Sequence, residues 1–169
     1  MKQILFAFLT ITLAGASLNA AETNTPAFGV SLNLMGAFLG MYGGQFEIKL
    51  LPWMTLAADL FYNGQYIGDD GYSMFYIGAM PRFYMIGGDL NGLWAGMGAG
   101  VKFVTIRQNG ADYPGTVPML NIAGGYKIVF GNFFVEPYGG YSFALGSIDS
   151  QPSYKGSASI YGANMGFLF

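Results

Sequence analysis

The chain has no cysteine and no histidine, and only 9% of its 169 residues are charged. The missing cysteine removes disulfides, thiolate metal sites and a lipid-bearing cysteine together. The missing histidine removes the usual base beside a nucleophilic serine, so Ser73 and Ser142 have no such partner. A carboxylate pair such as Glu47 and Asp59 could do acid–base work, but with Lys49 and Arg82 predicted beside it the set reads as a structural ion cluster. Asp69 and Asp70, flanked by glycines, read as a solvated turn rather than a calcium site. No catalytic residue, cofactor or metal is therefore expected.

Long hydrophobic runs are missing as well. Past residue 20, polar residues and glycines interrupt every apolar stretch within about ten residues, short of the roughly 20 that a spanning helix needs. Yet the composition is 53% hydrophobic and 17% aromatic, against the roughly 25% charge of a typical soluble domain. A chain this apolar without helical spans must bury or display its hydrophobic surface on strands. The first twenty residues differ, with Lys2, an apolar stretch from Ile4 to Ala14, and small and polar residues ending Ser17-Leu18-Asn19-Ala20. They read as an export signal over 1–20, cleaved after Ala20 or Ala21, with one domain over 21–169. That domain keeps six basic and nine acidic residues, a balance that argues against nucleic-acid binding.

Eight apolar runs follow, at 28–35, 42–50, 55–63, 73–86, 93–106, 117–130, 133–145 and 160–169. On alternate residues the strand charges Glu47, Lys49, Asp59, Arg82, Lys102, Lys127 and Glu136 fall in one phase, and Phe, Ile, Leu and Val fall in the other. Soluble barrels such as lipocalins put the charge outside. Slipping every strand by one residue would place seven charges on the apolar face, a loss on the order of 10 kcal/mol if that face meets lipid. The pattern predicts an all-β fold, an eight-stranded antiparallel up-and-down transmembrane β-barrel with a charged lumen filled by side chains.

Two details test the register. Gly131-Asn132 is a two-residue hairpin signal; it sets Phe130 opposite Phe133 and Lys127 directly opposite Glu136. Glu47, Lys49, Asp59 and Arg82 lie two to five residues from predicted turns and are expected to share one layer. Gly96, Gly98 and Gly100 make space inside for large inward residues such as Trp94, Tyr76 and Phe61. Pro81, Pro118 and Pro137 fall within runs, and a closed barrel has no edge to excuse a missing donor, so bulges or displaced strand ends are expected there. The loops at 36–41, 67–72, 108–115 and 146–157 read as short. The last, with Asp149, Gln151, Pro152, Tyr154 and Lys155, is the most polar and the expected contact site. Tyr62, Tyr72, Tyr84 and Trp53 near strand ends read as an interfacial girdle.

The last run carries a resemblance. Its outward row, Tyr161, Ala163, Met165, Phe167 and the terminal Phe169, resembles the C-terminal signal by which bacterial outer-membrane barrels are recognised for insertion. In length and strand count the domain is similar to the small barrels of the OmpX type and the OmpA membrane domain. The segments Met80-Pro81-Arg82-Phe83-Tyr84, Gly125-Tyr126-Lys127 and Glu136-Pro137-Tyr138-Gly139-Gly140-Tyr141 also resemble those of small outer-membrane barrel families. The resemblance implies the bacterial outer membrane as location, its lipids and the barrel-assembly machinery as partners, a monomer, and a non-enzymatic role in envelope structure or surface contact. The alternatives are a narrow porin-like channel and a small ligand bound at the barrel mouth. Short loops depart from the long outward strands of the OmpX type, which argues against adhesion. With no periplasmic domain expected, the peptidoglycan anchoring of OmpA-like proteins is not carried over.

Overall fold

A computed structural model describes residues 26–34, 36, 40–88, 90–146 and 156–169. The export-signal reading at 1–20 and the polar residues Asp149 to Lys155 lie outside them. Eight strands follow one another: β1 (Phe28–Asn33), β2 (Met41–Leu51), β3 (Met54–Ile67), β4 (Asp70–Gly88), β5 (Asn91–Gln108), β6 (Ala111–Phe130), β7 (Phe133–Ala144) and β8 (Ala158–Leu168). Each pairs antiparallel with its neighbours in sequence, and β1 closes the sheet on β8. The seam is tight: Ala27 N donates to Phe169 O at 2.6 Å, Phe169 N donates to Phe28 O at 2.8 Å, and the two phenylalanine rings stack at 5.2 Å.

Alternation sets the two faces. Phe46, Ile48, Leu56, Leu60, Phe75 and Ile77 are exposed on the outer face of β2 to β4, and Phe103, Ile122, Phe143 and Phe167 continue the band around to β8. Between them, Gln45, Glu47, Thr55, Asp59, Arg82, Asn121, Lys127, Glu136 and Asn164 are buried inside. A soluble barrel would invert this, because it gains by removing apolar area from water.

The register around Gly131-Asn132 is the one its turn chemistry dictates, with Phe130 opposite Phe133 and Ile128 opposite Val135. Gly131 takes φ +63°, the left-handed conformation that a glycine at the first central position of a primed turn supplies. The prolines behave otherwise than expected. Pro81 pairs with Leu56, Pro118 with Val101 and Pro137 with Ala163, and none shifts the register. A residue in an antiparallel sheet directs its N–H and C=O to the same neighbour, so proline subtracts from one ladder and leaves the other whole. Accordingly, the ladder of β4 and β5 lacks rungs only between Ala79 and Arg82, and that of β6 and β7 only between Gly125 and Ile128. The irregularities sit instead beside short turns, between Lys49 and Leu51 and between Tyr84 and Ile86.

The strands on one side are longer than expected. β4, β5 and β6 have 19, 18 and 20 residues, about twice the 9–11 that cross a bilayer. The expected loops at 67–72 and 108–115 are therefore mostly strand, turning only at Gly68-Asp69 and Asn109-Gly110. Asn109 and Gly110 have φ +51° and +76°, as a type I′ Asn-Gly turn requires. Pro114 fits because the β6–β7 ladder ends at Met119 and Ala144, leaving that stretch of β6 without a β7 partner to need its N–H.

Candidate functional site

The inward rows converge on one lumen with two unlike halves. The half near Phe28, Phe169 and the short turns is closed. Its floor is Leu90, Phe134 and Leu168, all buried, with Val129 packed against them. Above the floor four charges from four strands meet: Glu47 of β2, Arg82 of β4, Lys127 of β6 and Glu136 of β7. Arg82 Nη1 stands 3.0 Å from Glu136 Oε1 and 3.5 Å from Glu47 Oε2; Lys127 Nζ stands 3.3 Å from Glu136 Oε2 and is also paired with Glu47 Oε2. The four keep between 0 and 3% of their surface accessible.

Neighbouring side chains complete the coordination of these charges. Thr55 Oγ1 donates to Glu47 at 2.5 Å, Tyr84 OH donates to Glu47 at 3.0 Å, and Asn164 Nδ2 donates to Glu136 at 3.2 Å. The Arg82 guanidinium lies 3.9 Å over the Trp94 ring, and Lys127 Nζ lies 4.5 Å from the Phe134 ring centroid. Two positive and two negative groups thus neutralise one another, with hydrogen bonds to the remaining carboxylate lone pairs. That is the arrangement in which buried ions are tolerated.

The layer expected from spacing is regrouped. Glu47 and Arg82 come together, but their companions are Lys127 and Glu136 rather than Lys49 and Asp59. Counting residues from a turn places a side chain along its strand, whereas in a narrow lumen long side chains reach across to strands on the far wall. Lys49 is half-buried near the β2–β3 turn. Asp59 stands next to the network and accepts a hydrogen bond from Gln45 Nε2 at 2.6 Å. Lys102 lies in the other half and donates to the Gly156 carbonyl at 2.9 Å. Tyr161, Met165 and Phe167 are exposed on the outer face of β8 in the same phase as Ala163, and Phe169 closes the seam.

Among the described residues the second half is open, and apart from Asp59 and Lys102 at its wall it carries neutral polar groups. Asn121 Nδ2 donates to Tyr76 OH at 2.5 Å, Ser142 Oγ to Asn121 Oδ1 at 2.6 Å, and Asn33 Nδ2 to Tyr138 OH at 2.5 Å. The expected space at Gly96, Gly98 and Gly100 is occupied from β4. A Cβ on Gly100 would stand 2.5 Å from Tyr76 OH, and one on Gly96 would stand 2.9 Å from Met80 Sδ. What remains is a cavity of about 350 Å³ bordered by Asp59, Phe61, Tyr76, Trp94, Lys102 and Tyr138, among others. The expectation of a filled lumen therefore holds for the closed half and not for this one. The protruding strands add an exposed ion pair on the outer face at their tip, Arg107 Nε to Asp112 Oδ1 at 2.6 Å.

No family model matches the chain, and no curated protein is similar to it in sequence. Among solved structures it is similar to Neisserial surface protein A, at 15% identity over 86% of this chain and 96% of that one, with a TM-score of 0.57. It is also similar to the N-terminal β-barrel domain of Pseudomonas aeruginosa OprF, at 20% identity over 87% and 98% of the two chains, with a TM-score of 0.56. The likeness is one of fold: a closed eight-stranded barrel of the kind found in small bacterial outer-membrane proteins.

Proposed function

We propose that this protein is an integral barrel of the bacterial outer membrane, non-enzymatic, serving envelope structure or surface contact and passing nothing through its lumen. The observation that carries the reading is the plug. Glu47, Arg82, Lys127 and Glu136 meet across the lumen above the floor of Leu90, Phe134 and Leu168. A solute crossing this level would have to separate buried ion pairs, each costing roughly 3–5 kcal/mol to break from one side. The exposed apolar band supports contact with lipid tails, and the row Tyr161, Ala163, Met165, Phe167 and Phe169 supports recognition by the barrel-assembly machinery. Residues 1–20 supply the export signal, and the barrel works as a monomer. Strands β4 to β6, extending well past the length that crosses a bilayer, offer a surface for contact outside it.

The lack of histidine supports the non-enzymatic reading, since the serines inside the lumen have no base beside them. The test is planar-bilayer conductance of refolded protein that migrates faster on a gel unheated than heated. Folded protein should be silent. Reproducible unitary steps, altered in Lys127→Ala, would overturn the plug and make the ion cluster a selectivity element.

A further inference from the structure

We infer that the open half of the lumen is a cup for a small organic cation, a primary ammonium on an apolar or aromatic body, seated with its ammonium against Asp59 and Gln45. The inference rests on the sealed-barrel reading, because the plug is what makes this cavity a dead end rather than a passage. The lumen's charge balance provides its first argument. The network of Glu47, Glu136, Arg82 and Lys127 is neutral in itself; outside it two charged side chains border the cavity, Asp59 and Lys102, and Lys102 is turned to the Gly156 carbonyl. Asp59 is 8% exposed, and only its Oδ1 has a hydrogen bond among the described residues, from Gln45.

Gln45 gives the second argument. Its Nε2 is committed to Asp59, so its Oε1 is fixed as a carbonyl acceptor, and that atom is buried without a partner among the described residues. A carboxyl group and an amide oxygen side by side call for a ligand that donates several hydrogen bonds, which a primary ammonium does and a quaternary one does not. Of the two cations bordering the cavity, Arg82 pairs with Glu136 and Glu47 through Nη1 while its buried Nε has no partner among the described residues, and Lys102 donates to the Gly156 carbonyl. An anionic ligand seated beside Gln45 would set its charge against the Asp59 carboxyl group. Phe61, Tyr76, Trp94 and Tyr138 also border the cavity, and their area suits an apolar or aromatic body. A volume of about 350 Å³ lies at the small end of the range for ligand pockets.

The probe is 2-phenylethylamine, protonated at pH 7, compared with 2-phenylethanol and 3-phenylpropionate as neutral and anionic compounds of similar size. Trp94 borders the cavity and Trp53 lies outside it, so a Trp53→Phe protein refolded in phosphatidylcholine vesicles reports occupancy through Trp94 fluorescence. The amine should give a saturable change, the alcohol should bind roughly tenfold more weakly or worse, and the acid should not bind. Asp59→Asn should lower amine affinity by a similar factor while leaving the alcohol where it was. Gln45→Met provides a second variant with the carboxyl group intact, and both are used only if they pass the heat-mobility test. Equal titration by all three compounds, or no saturable change with any, would overturn the cup. The three-compound contrast needs no lumen variant to fold, and silence in bilayers is read separately, so failure of the cup and failure of the plug are distinguishable.

Discussion

The two halves of the lumen are built by the same eight strands and the same alternation, yet they solve the problem of a polar interior in opposite ways. In the closed half, four ionised side chains lie within 3.5 Å of opposite charges. In the open half, amides, phenols and hydroxyls hydrogen-bond in pairs around about 350 Å³. The difference lies in which residues occupy successive inward positions. On β6 the inward row runs from Val117, Met119 and Asn121 to Lys127, neutral at one end and charged at the other. Charge concentrates where the floor and short turns exclude water, because only there can each ion be held by several partners at once. Neutral groups, which tolerate looser geometry, make up most of the end that opens, with Asp59 and Lys102 the charged exceptions at its wall.

The sharpest way to break this comparison is to remove one ion from the closed half. Lys127→Met keeps length and volume but strands Glu47 and Glu136 with a single cation, Arg82. The expected loss is about 3–5 kcal/mol, because the desolvated charges remain after their partner is gone. It should appear as a lower urea midpoint for the heat-sensitive gel band of protein in detergent micelles. A shift below about 1 kcal/mol would mean that water reaches the cluster, and the contrast between the halves would collapse.

How much of this was legible beforehand depends on the distance over which residues interact. Face assignment and the Lys127–Glu136 pairing register needed only alternation and one turn, both local in sequence. The four-residue network was not legible, because Arg82 and Glu136 are 54 positions apart and meet through the lumen rather than along a ladder. Nor was the regrouping that leaves Asp59 outside the network. The length of β5 and β6 was a different kind of miss. Asn109-Gly110 carries a two-residue hairpin signal, whereas the whole stretch 108–115 reads as a loop when that signal is not weighed. Bulges or displaced strand ends were expected at the prolines from the missing donor alone, whereas each donor serves only one of two ladders.

A middle-sized effect should come from the open half, where packing rather than charge sets the limit. Gly100→Ala puts a methyl group 2.5 Å from Tyr76 OH and 2.6 Å from the Ile77 carbonyl, so the ring must move and surrender its hydrogen bond from Asn121. A cost of about 1–3 kcal/mol is expected, as for overpacking elsewhere. Unlike the lysine substitution, it should also change the near-ultraviolet signal of the aromatic groups around the cavity. A neutral outcome on both measures would show that the ring moves freely into the open volume, and that this half is softer than its hydrogen bonds suggest.

The smallest effect is expected beyond both halves, at the tip of the β5–β6 hairpin. The hydrogen bond from Arg107 holds the Asp112 carboxyl below its ordinary value of 3.8, yet both side chains stand in solvent, where such pairs contribute little. A group with a depressed folded pKa stabilises above its unfolded pKa, and that contribution is lost as pH falls through the folded value. The urea midpoint should therefore be the same for Asp112→Asn and the parent from pH 8 to pH 5. The tip itself is tied by Asn109 N to Asp70 Oδ1 at 2.8 Å and Gly110 N to Asp69 O at 3.0 Å. Amide exchange at Asn109 and Gly110 should quicken in Asp112→Asn at pH 7 while the amides beside Lys127 keep their protection. If the global midpoint instead fell as far as in Lys127→Met, the protruding hairpin would belong to the same cooperative unit as the plug, and stability would not be concentrated where the charges are buried.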